Sequence, residues 1–153
     1  DGDAFAPNDP CTRAMAMEFI WRALGCPEAS VTENPFTDVP ADTWYTDAVI
    51  WASENDITAG TSDTTFSPTN SLTREQLATI LYRYADTMGD NVAVSGNLNA
   101  YTDKDKVGSY AVTPMTWAVE HGIITGTTGT TLSPKSTTTR AQVAVMLHRY
   151  LTD

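Results

Sequence analysis

Apolar residues recur at helical spacing in three stretches of the chain. Leu77, Ile80, Leu81 and Tyr84 form one stripe. Val143, Met146, Leu147 and Tyr150 form a second, and Ala16, Phe19, Ile20 and Ala23 a third. Each stripe follows a Thr-Arg pair: Thr12-Arg13, Thr73-Arg74 and Thr139-Arg140. Threonine is a good N-cap, so each pair predicts a helix start. Gln76 and Gln142 stand three residues after their threonines and complete capping boxes. Met15 occupies that place in the first stretch, so Thr12 caps without a box. Two further helices are predicted over about 43–55 and 110–121, where Ala48, Trp51, Ala52 and Asn55 fall on one side. Pro114 is tolerated only in a first helical turn, which puts that helix start near 110–113.

The pattern is a repeat. "FAPNDPCTRAMAMEFIWRAL" (5–24), "FSPTNSLTREQLATILYRYA" (66–85) and "LSPKSTTTRAQVAVMLHRYL" (132–151) align on Pro7, Pro68 and Pro134, on Thr-Arg, and on a second arginine nine residues later. The copies lie 61 and then 66 residues apart, the size of a supersecondary unit that buries its faces against its neighbours. "FTDVPADTWYTDAVIWASENDITAG" (36–60) repeats as "YTDKDKVGSYAVTPMTWAVEHGIITG" (101–126). A unit therefore reads helix, glycine-marked loop, proline-containing loop, helix. Segments 25–35 and 86–100 read as connectors. The first copy lacks its first half, because Asp1 aligns with Ser62. The expected division is half a repeat over 1–30 and full repeats over 31–89 and 90–153, together one compact domain.

Composition narrows the class. A net charge of −10 and pI near 4.4 argue against nucleic acid or an anionic membrane as partner. No apolar run reaches the roughly 18 residues of a membrane span. No N-terminal signal pattern is present, which suits a mature form, a fragment or a cytosolic protein. Cys11 and Cys26 flank a predicted helix of about 15 residues, roughly 22 Å long. They are too far apart to pair and read as small buried or half-buried thiols, with an intermolecular bridge as the other reading. His121 and His148 belong to different helices, and His148 occupies the slot of Trp21 and Tyr82, where a half-buried residue is expected. No nucleophile motif, phosphate loop or metal spacing appears. Asp1, Asp3 and Asp9 lack the spacing and closing glutamate of a calcium loop. Neither an enzyme nor a cofactor is indicated.

The chemistry that stands out is cationic. All six arginines lie in the three repeated helices. Arg22, Arg83 and Arg149 sit toward helix C-termini, where the backbone dipole favours them, and are expected to pair with carboxylates or carbonyls. Arg13, Arg74 and Arg140 sit at helix starts, where the dipole opposes them. Two readings stand level. A guanidinium beside free N-terminal amides makes a local anion site suited to a carboxylate or phosphate. Alternatively, each arginine forms a buried salt bridge to Asp38, Asp103 or a neighbouring unit.

Phe/Tyr-x-Asp, an aromatic, Trp-Ala, Gly, Phe/Leu-x-Pro and Thr-Arg, in that order, resemble the S-layer homology (SLH) repeat. The resemblance covers nearly the whole chain. It implies an all-α fold in which helix-loop-helix repeats form a pseudo-threefold arrangement around a central helix bundle, with grooves between repeats. It also implies noncovalent attachment of a secreted surface protein to the bacterial cell wall, through an anionic, often pyruvylated secondary cell-wall polysaccharide. The family motif is Thr-Arg-Ala-Glu, with the arginine on the anionic sugar. That role carries to Arg13, Arg74 and Arg140. The groove acid and aromatic carry to Asp38 and Trp44 and to Asp103 and Tyr110, and the loop glycine to Gly60 and Gly126. The closing Glu is replaced by Met15, Gln76 and Gln142, which bears on ligand specificity more than on fold; the first copy has no groove acid, aromatic or glycine here, so at most two well-formed grooves are expected.

The absent half-repeat should leave an apolar face exposed. A shortened chain, a helix supplied by the same or another chain, or a repacked edge would each account for it. The competing functional reading is therefore a structural, self-assembling module that makes protein–protein contacts, its sugar grooves degenerate.

Overall fold

The computed structural model describes residues 5–31 and 33–152. Five α-helices carry the fold: α1 Arg13–Ala23, α2 Thr46–Glu54, α3 Arg74–Met88, α4 Val112–Glu120 and α5 Arg140–Thr152. Among the described residues there is no strand, only isolated β-bridges, so the protein is all-α. The chain falls into two compact units that cut across the repeats. One unit is Thr12–Ser71 and holds α1 and α2; the other joins Asp1–Cys11 to Leu72–Asp153 and holds α3, α4 and α5.

The three Thr-Arg helices start where the caps place them. Thr73 Oγ1 accepts from the Gln76 amide, and Gln76 returns its side-chain oxygen to the Thr73 amide at 3.0 Å. Thr139 and Gln142 exchange the same two bonds. Thr12 accepts from Met15 and has no reciprocal bond. Pro114 takes the third position of α4, within its first turn and without loss of an intrahelical bond. The predicted start of α2 runs a few residues early, while α4 begins at Val112, inside the predicted 110–113. Thr46 Oγ1 ties the Thr43 turn down before α2, and a 3₁₀ turn, Ser109–Ala111, precedes α4.

The first amides of these helices are not free. In the larger unit, Arg74 and Glu75 donate theirs to the Ser136 and Pro134 carbonyls, and Arg140 and Ala141 donate to Asp9 and Pro7, all at 3.0 Å. In the smaller unit, Arg13 and Ala14 donate to Asn70 and Pro68 at 2.9 and 3.0 Å. With the third amide on the threonine, each helix start is saturated. A ring of backbone bonds supports the larger unit here. Cys11 donates to Thr138, Thr138 to Leu72 and Leu72 to Cys11, at 2.8–2.9 Å.

The predicted apolar stripes face inward, except that Ala23, in the last turn of α1, is exposed. Leu77 and Leu81 are fully buried, with Val143, Met146 and Leu147 beside them in the larger unit, and Ala16 and Ile20 line the core of the smaller one. The connectors are hooked in the same way twice. Glu54 at the end of α2 accepts from the amide and hydroxyl of Ser30, and Glu120 at the end of α4 accepts from those of Ser95. No disulfide joins Cys11 and Cys26. Cys11 is buried, and burial pushes its thiol up to about 11 although Arg140 draws it down. Cys26 is exposed rather than half-buried, because it follows the last turn of α1 with a positive φ of 56°. His148 is exposed, against expectation: no ring or side-chain contact of the described residues covers it, whereas the ring of its counterpart Tyr82 meets Trp117.

Candidate functional site

The Thr-Arg arginines first serve the Phe/Leu-x-Pro loops. The middle residue of each loop, Ala6, Ser67 or Ser133, sits at positive φ (43°, 58° and 53°), which is strained for a residue with a side chain. In the smaller unit, the Asp38 carboxylate holds this bend by accepting from the Phe66 and Ser67 amides, both at 2.7 Å. Arg13 Nε donates to the Phe66 carbonyl at 2.8 Å, and its guanidinium lies over the Phe66 ring, 4.8 Å from the centroid. In the larger unit, Asp103 takes the Leu132 and Ser133 amides at 2.9 and 2.8 Å. Arg74 Nε takes the Leu132 carbonyl at 2.8 Å, and its Nη2 takes Thr125 at 2.8 Å. Acid and base thus grip opposite sides of one peptide.

The anion site built on free helix amides is therefore not what the chain forms, since those amides bond to backbone carbonyls. Nor do Arg74 and Asp103 make an ion pair among the described residues. Their charges still feel each other. Burial raises the pKa of Asp38 and Asp103, but the two backbone bonds each accepts outweigh it, and both carboxyls titrate below their ordinary value. Burial lowers the Arg74 pKa, Arg149 lowers it further, and Asp103 pushes back.

Arg149 is the informative neighbour. A cavity of about 270 Å³ in the larger unit is lined by Arg74, Arg149, Gln142, Met146 and the backbone loop Thr125–Gly126–Thr127. Arg149 makes a long 3.4 Å bond to the Ile123 carbonyl, so a carbonyl partner is present as expected, but its guanidinium also faces this space. Two guanidiniums on one small cavity, in a chain of net charge −10, make a local positive spot. Gly126 is required there. A Cβ would collide with the Thr128 carbonyl and stand 2.8 Å from the Thr131 carbonyl. Gly60 is constrained more tightly in the smaller unit, with φ +72° and the Phe36 ring 2.6 Å from any Cβ.

Of the nine expected site residues, the cavity brings together Arg74 and Gly126, with Asp103 bracing the loop behind them. Arg13, Asp38 and Gly60 form the matching clasp of the smaller unit. Trp44 is exposed and stands edge-on to Tyr45, with centroids 4.9 Å apart. Tyr110 is exposed along its ring while its hydroxyl donates to Glu75 at 2.7 Å. Glu75, at the alanine position of the motif, is buried and also accepts from Gly108 and from Lys135. Burial raises its pKa, and these donors more than reverse that. Arg140 differs from its counterparts: it reaches the Phe5 carbonyl through Nη1 at 2.9 Å, and its buried Nε has no hydrogen-bond partner among the described residues. Sequence reasoning missed Arg149 and Gln142 as cavity residues. A cavity of about 440 Å³ in the smaller unit, lined by Trp21, Glu28, Asp42 and Asp47, contains none of the expected residues.

The braced loops of the repeats thus carry a small cavity with two arginines on its wall. The S-layer homology domain model matches residues 35–78 and 100–144, and the chain belongs to that family. It is 36% identical over 97% of its length to the surface-layer 125 kDa protein of Lysinibacillus sphaericus. It is 29% identical over 98% to the cellulosome-anchoring protein of Acetivibrio thermocellus, and 33% identical over 83% to an endoglucanase of a Bacillus species. The chain spans 12%, 34% and 13% of those proteins. The family places the chain at the bacterial cell surface. No described helix is long and apolar enough to cross a membrane.

Proposed function

We propose that this chain anchors a surface protein noncovalently to the cell wall by binding an anionic, pyruvylated secondary cell-wall polysaccharide. The observation that carries the reading is the pair Arg74 and Arg149 on one cavity. A ketal carboxylate on a sugar is a planar anion that a guanidinium pair grips well. Gly126 opens backbone to the ligand, and Tyr110 offers a ring for stacking. Arg13 of the half-repeat, with Gly60 and Trp44 of the first full repeat, is the corresponding set. Arg140, whose loop shows no aspartate brace among the described residues, belongs to the weakest groove. The division into 1–30, 31–89 and 90–153 is part of this reading. The ring Cys11–Thr138–Leu72, one residue from each repeat, supports the threefold organisation that goes with it.

The test is cosedimentation with purified wall sacculi before and after the polysaccharide is stripped. Binding that disappears with the polysaccharide is the expected result. Equal binding to stripped sacculi, or none to intact ones, contradicts the reading. A structural, self-assembling role is the second reading, favoured by the bare side of α5.

A further inference from the structure

Position 75 stands apart among three aligned places. The residue after the Thr-Arg arginine is Ala14 in α1 and Ala141 in α5, but Glu75 in α3. An alanine serves the other two helix starts, so starting a helix does not by itself call for the carboxylate. Glu75 is 2% exposed, and a buried carboxylate is costly unless donors surround it. Here they do. Its Oε2 accepts from the Gly108 amide at 2.9 Å, and its Oε1 accepts from the Tyr110 hydroxyl at 2.7 Å and from the Lys135 ammonium.

What the carboxylate holds is a seat for a ring. Tyr110 is 53% exposed, yet one edge of it lies on Gly108. A Cβ at Gly108 would stand 2.8 Å from Tyr110 Cε1 and 3.1 Å from its Cδ1. A glycine under the ring and an acceptor at the hydroxyl fix the phenol at two points while much of it stays open to solvent. The smaller unit supports its aligned aromatic in another way. Trp44 is 56% exposed and has Tyr45 edge-on beside it, with centroids 4.9 Å apart. In the larger unit the counterpart of Tyr45 is Ala111, which has no ring to offer. In turn, the smaller unit has Ala14 for Glu75 and Thr69 for Lys135. The carboxylate thus goes with the aromatic that has a hydroxyl, and the neighbouring ring with the aromatic that has none.

We propose that Glu75 is a positioning residue for sugar binding in the larger unit: through the hydroxyl it holds the Tyr110 ring ready to stack on the apolar face of a sugar ring. The inference rests on the sugar reading above. A ring ordered beforehand does not have to be ordered when the ligand arrives. Lys135 serves the same end, because it offsets the carboxylate and leaves no unbalanced negative charge beside an anionic ligand.

The experiment titrates the isotope-labelled chain with solubilised wall polysaccharide and reads the affinity at the Gly126 amide, which lies on the Arg74 cavity. Glu75→Ala, Glu75→Gln, Tyr110→Phe and the double variant Glu75→Ala/Tyr110→Phe are compared, with the melting temperature of each. Glu75→Ala and Tyr110→Phe should each weaken binding about fivefold, the worth of one net hydrogen bond. The double variant should bind no more weakly than either single one. Glu75→Gln keeps a carbonyl for the Tyr110 hydroxyl and should recover most of the affinity. A Glu75→Ala chain that melts lower but binds as tightly as the unaltered chain overturns the proposal and leaves Glu75 a purely structural role. Full affinity in Tyr110→Phe, a change at an exposed residue, overturns it as well. So do losses that multiply in the double variant, and so does Glu75→Gln binding as weakly as Glu75→Ala, which would put the charge rather than the hold on Tyr110 in control. If polysaccharide leaves the Gly126 resonance of the unaltered chain in place, the sugar reading fails and this inference with it, an outcome that the unaltered chain reveals before any variant is made.

Discussion

Arg74 and Arg140 stand at the same place in the repeat, yet among the described residues only the Arg74 loop shows an aspartate on its far side. Asp103 fixes the Leu132–Ser133 bend, and Leu132 is fully buried beneath the arginine. Phe5, the counterpart of Leu132, is 52% exposed. Arg140 reaches its carbonyl through Nη1 rather than Nε, and its buried Nε has no hydrogen-bond partner among the described residues. The arginine alone does not make the clasp. Asp103 holds the far side of the Arg74 loop, and the braced loop forms the wall of a cationic cavity.

That contrast can be broken at either end. The largest effect is expected from Arg74→Ala, which strips partners from the Leu132 and Thr125 carbonyls and costs about 2–4 kcal/mol in denaturant unfolding. Arg140→Ala, which removes one bond to an exposed loop, should cost under about 1 kcal/mol. Equal costs for the two would dissolve the distinction. Next in size is Asp103→Ala, which orphans two amides at a strained bend and should lower stability by about 2–3 kcal/mol. Asp103→Asn should recover part of that loss.

Acid should reach the clasps before the rest of the fold. Both aspartates titrate below their ordinary value when folded. Their contribution is therefore complete above about pH 4, the unfolded carboxylate range, and drains away as pH falls through the lower folded values. Unfolding curves taken between neutral and acid pH should show this fall, and Asp103→Asn should flatten it. An unchanged acid limb in that variant would mean the stabilising charge lies elsewhere. The smallest stability effect is expected from Arg149→Ala, within about 0.5 kcal/mol, since its one carbonyl bond is long.

Much of this architecture was readable beforehand because it rests on local rules. The Thr73 and Thr139 capping boxes, the box missing at Thr12 and the place of Pro114 all follow from chemistry within one helical turn. The pairing of the first amides was hidden, because Ser136, Pro134 and Asp9 lie far along the chain from the helices they cap. That is why free amides were expected beside Arg74 where none exist. Arg149 was hidden for a related reason. Its place in the cavity depends on the Thr125–Thr127 loop of its own repeat folding back beside it, which no spacing along one helix reveals. The exposure of His148 depended on a neighbour that its counterparts Trp21 and Tyr82 have and it does not.

The most direct test of the central claim is the affinity of Arg149→Ala for polysaccharide-bearing sacculi, measured beside its melting temperature. The account predicts an unchanged melting temperature and at least about a tenfold loss of binding, the equivalent of one charge-assisted bond. Full binding by a stable Arg149→Ala chain would contradict it, and would leave Arg74 as a brace for its loop rather than a grip on an anion.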